Sequence, residues 1–195
     1  MDRGTLLGMA TGAGVMFGFG IVWLLIGLFR GRPSPRWLRL SLLLAGIALG
    51  ASIVTLGVRA SHLPANASPV TARQAAINRE IGRHFYLILG VELVAIFVAV
   101  VVLSAFRYPD YILCGIALIV GVHFFPLAAL FRAPVYYGTG LGGCAIGLVG
   151  FFMGDENLRQ KVVGTLFGLL LWTTAGWISW LGLSTASRVV SNLPM

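Results

Sequence analysis

Acidic side chains are scarce in this chain. Its 195 residues hold six Asp and Glu, three His and two Cys. Two cysteines make no disulfide framework. Cys114 and Cys144 fall at depths that differ by about ten ångströms, beyond the reach of a disulfide. Three histidines leave little for metal chemistry, because a site needs three or four ligands. Glu92, His123 and Cys144 are the candidates at one level, in no recognised spacing, and the Glu-x-x-His pattern of di-iron bundles is missing. A haem held by two histidines is disfavoured too: His84 sits at a span end, His123 lies deep and His62 is in a connection. The sequence has no nucleophile elbow, phosphate loop or kinase signature. Ser52 or Ser179 with His123 would need a motif that neither has. The reading therefore includes no metal and no cofactor, and it leans against an enzyme.

Charge of either sign is thin, at 10% of residues, where soluble domains carry about 25%. Hydrophobic residues make up 58% and the mean hydropathy is +0.92. No water-soluble core of this size hides so much apolar surface, so the solvent is lipid for most of the chain. The formal charge of +8 and pI of about 10.5 would suggest nucleic acid in a soluble protein. Here Arg30, Arg32, Arg36, Arg39, Arg59, Arg83, Arg107 and Arg132 sit at span ends, where they anchor against anionic lipid headgroups. Membrane lipid is the expected partner, and nucleic acid is not.

Six apolar segments mark an all-α polytopic bundle in a single membrane domain covering 1–195: Leu6 to Phe29, Trp37 to Val58, His84 to Phe106, Tyr111 to Phe131, Val135 to Met153 and Val162 to Leu183. Each approaches the roughly 20 residues a helix needs to cross the hydrocarbon. The first exceeds a signal peptide's apolar region and reads as a retained span. The fifth is the weakest, glycine-rich behind Tyr136 and Tyr137, and a re-entrant or broken helix is its alternative. An even count puts both termini on one side, called side A. The turns "RYPD" and "RAP" make spans three, four and five antiparallel neighbours. In the long Arg59 to Arg83 connection, Ser68 and Pro69 start a helix over about 69–83 that lies at the interface or runs into span three. The glycosylation pattern at Asn66 is discounted because Pro69 follows. Basic residues outside the spans divide evenly between the two sides, so the positive-inside rule leaves orientation open.

"LFRGRPSP" and "LFRAPVYY" hint at an inverted repeat of the kind transporters use, but three shared residues and a proline are within chance. Small-xxx-small pairs such as Gly8–Gly12, Gly46–Gly50, Gly143–Gly147 and Gly164–Gly168 suit close helix packing. They read first as contacts within the bundle, and second as a face for a partner helix.

Two ionisable side chains lie well inside spans, Glu92 and His123. Such groups are costly in lipid and face the protein interior. Each is eight residues from the side A end of its span, roughly 12 Å deep at 1.5 Å per residue. Equal depth on antiparallel neighbours predicts that they meet, directly or through one water, as a pair able to hold a single proton. Thr173 and Thr174 reach a similar level. Pro126 is expected to kink span four beside His123. Together these suggest a polar cavity open to side A, rimmed by Arg132, Tyr136 and Tyr137. The blander readings are an interhelical hydrogen bond that fixes register, threonines bonded to their own helix and tyrosines in an interfacial belt.

"IGRHFYLILGVELVAIF" and "GVHFFPLAALFRAPVYYGTG" resemble an uncharacterised family of small multi-span bacterial membrane proteins. The resemblance implies a bacterial inner membrane and no particular activity. Arg83, Glu92, His123, Pro126 and Arg132 carry it. A small-solute or proton-coupled transporter or binding protein is the leading expectation. A non-catalytic scaffold or subunit comes second and a membrane-embedded enzyme a distant third.

Overall fold

The computed structural model describes residues 3–29, 35–62 and 72–191. They form six helices: α1 (Arg3–Phe29), α2 (Arg36–His62), α3 (Ala72–Ala105), α4 (Ile112–Phe131), α5 (Val135–Phe151) and α6 (Glu156–Ser191), with a 3-10 turn at Pro109–Tyr111 before α4. No strand occurs among the described residues. The fold is all-α, because an apolar chain in lipid must satisfy its backbone within each segment. Five helices are long and apolar enough to cross a membrane. The exception, α5, has 17 residues, about 25 Å at 1.5 Å per residue. It is one unbroken helix, not an interrupted one.

The helical part of the long connection runs without a break into the third apolar segment, since α3 starts at Ala72. Asn66, Ser68 and Pro69 lie outside the described residues.

The ends of α3 and α4 share one construction. Tyr108 N–H donates to Leu103 O and Arg107 N–H to Ser104 O; Ala133 N–H donates to Ala128 O and Arg132 N–H to Ala129 O. Both are Schellman closures. Arginine occupies the left-handed position in each, at φ 61° for Arg107 and 52° for Arg132, where glycine is usual. The arginine leaves each helix pointing its chain sharply back, and the minimal turns follow.

The chain divides into two units. The first takes in α2, α1 up to Val22 and α6 from Leu171. Leu6, Leu56 and Ala60 form one buried cluster in it, with Leu7, Met9, Ala10 and Leu183 against them. Trp172 seats on Gly46, where a Cβ would come within 2.7 Å of its ring. The same indole stacks on Phe17 and donates from Nε1 to Phe17 O at 3.2 Å.

The second unit holds α3, α4, α5, α1 from Trp23 and α6 up to Leu170. In α5, the buried Gly140, Gly143, Gly147 and Gly150 form a stripe at helical spacing. A Cβ on Gly147 would stand 2.9 Å from Cys114 O and Leu118 N, and one on Gly143 3.0 Å from Gly121 Cα. Backbone therefore rests on backbone along the α4–α5 seam. Gly27 and Gly164 meet just as closely, beside Trp23 on Phe167. The glycine pairs read from the sequence at Gly143–Gly147 and Gly164 are used inside the unit, while Gly8 has open space around it.

Candidate functional site

Helix α3 touches its neighbour along a single stripe. Ile81, Phe85, Ile88, Glu92, Ala95, Ala99 and Leu103 are half-buried at intervals of three and four, and the residues between them are largely exposed. No residue in its most apolar window is fully buried. The stripe faces α4 in antiparallel register. Leu103 and Ala99 lie over Gly115, Glu92 meets His123, and Phe85 packs on Phe131 with ring centroids 6.0 Å apart. Glu92 thus occupies a seam position that elsewhere carries apolar side chains.

His123 Nδ1 is 3.2 Å from Glu92 Oε2, with the two side chains 10% and 11% exposed. The atoms are at ion-pair distance without the alignment of a hydrogen bond, and Nδ1 has no other partner. A buried polar atom in that position is costly unless something satisfies it.

A groove of about 240 Å³ reaches the pair, lined also by Ile88, Val91, Ala95, Ile119 and Val122. Val91 and Val122 are 64% and 54% exposed, so the groove opens sideways on the outer surface of the α3–α4 pair. Pro126 stands four residues beyond Val122 inside an unbroken α4. Lacking an N–H, it gives the Val122 carbonyl no partner of the ordinary helical kind. The side chains that line the groove are apolar apart from a carboxylate and an imidazole.

The rim inferred from the sequence is differently placed. Tyr136 packs on Phe124 and Phe131, and Tyr137 on Phe125. Arg132 closes α4. None of the three lines the groove, because the opening is lateral, along the α3–α4 seam, and the two tyrosines stand on α5. Nor do the threonines line it. Thr174 is buried, Thr173 is exposed, and both belong to the first unit, whereas the groove is built wholly from the second. A second groove of about 360 Å³ follows on the same seam, lined by Ile81, Gly82, Phe85, Tyr86 and Phe131. No group of three or more His, Cys, Asp or Glu that could hold a metal ion occurs among the described residues.

Arg159 lies ahead of the last apolar segment read from the sequence, Val162 to Leu183, and no role was read for it there. It lies in the first turn of α6 and is 3% exposed. Its Nε and Nη2 donate to Met153 O at 3.1 and 2.7 Å, and its guanidinium lies 3.9 Å over the Tyr111 ring. Asp155 caps the same helix, accepting from Leu158 N–H at 2.7 Å. The signal was available: an Asp three residues before Leu158 marks an N-cap, which moves Arg159 out of the loop and into the helix.

Five helices long and apolar enough to cross a membrane give a helical protein of the multi-pass membrane type, and a carboxylate and an imidazole are paired in one interhelical seam. Residues 83–181 match a family of unknown function, DUF7010, over about half of the chain, and the chain belongs to that family. The matched stretch contains Arg83, Glu92, His123, Pro126 and Arg132. Searches of curated proteins and of solved structures return no match.

Proposed function

We propose that this chain is a proton-linked binding or carrier protein for a small solute in a bacterial inner membrane, with Glu92 and His123 as its site. One observation carries the reading: the two side chains face each other at 3.2 Å on the wall of a groove large enough for a small molecule. A pair that served only to fix register would gain by sealing itself off and completing its hydrogen bond. This one is reachable and leaves Nδ1 without a partner. The pair holds one proton, on either residue, and a solute that binds there competes with it or receives it. The scaffold alternative needs glycine faces free for other helices. It is weakened by the burial of the α5 stripe within the chain's own second unit.

The test is infrared difference spectroscopy of the purified protein across a pH titration. Wild type is expected to show a protonated-carboxyl band that Glu92→Gln lacks. A small-molecule thermal-shift screen, run on both proteins, should return ligands that raise the melting temperature of wild type alone. A spectrum with no titrating carboxyl band makes the pair structural and removes the reading.

A further inference from the structure

We propose that the solute is a small hydrophobic amine, taken from the lipid side as a neutral base and held as its ammonium ion, with one proton released to water for each amine bound. The inference rests on the reading of Glu92 and His123 as a proton-holding site. It adds the ligand's chemical class and its route.

The lining selects the class. Five of the seven lining side chains are aliphatic, so most of the ligand is hydrocarbon. The polar side chains on the wall offer acceptors: the Glu92 carboxylate and the unpartnered His123 Nδ1 when the ring carries its proton on Nε2. A ligand that satisfies them brings N–H donors and positive charge. An ammonium group has both, and an alcohol or a carboxylic acid does not. Among the described residues, no Lys or Arg lines the groove to repel a cation. The other titratable groups on the helix packed behind α4 are turned elsewhere. Cys144 lies against Gly121 and Leu118, and Tyr136 against Phe124 and Phe131.

The route follows from the direction of the opening. Exposed Val91 and Val122 put the mouth on the apolar outer surface of α3 and α4. A charged solute is poorly soluble there, whereas an amine that has left its proton in water dissolves in hydrocarbon. On entry the neutral amine nitrogen takes the proton held by the pair. One N–H bond forms on the ligand and one O–H or N–H bond breaks on the protein, leaving ammonium against carboxylate. The site is electrically neutral before and after, so no net charge is buried. In total an aqueous ammonium ion loses a proton, the amine regains one from the pair, and one proton has passed to water. That stoichiometry is what an exchange of amine for proton requires.

The experiment is isothermal titration calorimetry of the full chain in lipid nanodiscs with n-hexylamine, n-hexanol and hexyltrimethylammonium, each in two buffers of different ionisation enthalpy. Hexylamine is expected to bind at least tenfold more tightly than either of the others and to release about one proton. Glu92→Gln should abolish both the preference and the release, and His123→Gln provides a second variant should the first fail to fold. Equal binding of hexanol would show an apolar groove without selection for nitrogen. Equal binding of the quaternary ion would show a carboxylate that transfers no proton. Either result overturns the proposal. Absence of all binding in a protein whose Glu92 carboxyl band still titrates also overturns the amine, while leaving the proton site standing.

Discussion

At the residue scale the pair behaves as a unit. Glu92 and His123 are each close to nine-tenths buried and stand 3.2 Å apart. Removing one strands the other, and a buried polar group without a partner costs about 1–3 kcal/mol. Glu92→Leu and His123→Leu are each expected to lower stability in detergent by about that amount, whereas the double substitution should return to within about 1 kcal/mol of wild type. Denaturant titration of the four proteins checks this. Additive losses would mean that the two side chains are not coupled. The meeting of Glu92 and His123 was legible before any coordinates, because depth along a helix follows from counting residues and antiparallel neighbours share a level. The side on which the pair opens was not legible. Depth says nothing of rotation about the helix axis, so Tyr136 and Tyr137, just past the "RAP" turn, looked like a rim although they stand on α5.

At the element scale the seam between α4 and α5 is set by glycine. A methyl group at Gly147 would meet Cys114 O and Leu118 N, both backbone atoms that cannot swing aside. Gly147→Ala should therefore cost about 1–3 kcal/mol through overpacking. Gly138→Ala, on the same helix with nothing within 4 Å, should be neutral or stabilising by up to about 1 kcal/mol through helix propensity. Thermal unfolding of the two variants in one detergent separates them, and similar melting temperatures would contradict the packing described. The spacing of Gly143 and Gly147 was readable as a packing face, but its partner was not, since small-xxx-small spacing looks alike whether it serves a neighbour in the chain or another molecule. Helix α6 was hidden for a different reason. A charged stretch beside a span reads as loop, and only the Asp155 cap reveals that the helix has already begun and that Arg159 folds inward onto Tyr111.

At the scale of the whole molecule the span count sets the topology. Six crossings place both termini on one side of the membrane; five, with α5 failing to cross at about 25 Å, place them on opposite sides. Both termini are expected on the same side, because α5 is unbroken and apolar and local thinning of the bilayer accommodates a short helix at modest cost. Epitope tags at each end, probed before and after permeabilisation, decide it. The seat of Trp172 in the first unit bears on how the chain matures. The indole's hydrogen bond to Phe17 spans 155 positions, and it closes over Gly46 of α2. Helices α1 and α2 leave the ribosome well before the side chain that fits them, which belongs to α6. Until residue 172 has been added, that glycine notch lacks the indole that fills it. A nascent chain stalled before residue 172 would thus present an unfilled surface to quality-control proteases, and the arrival of α6 would be the event that conceals it.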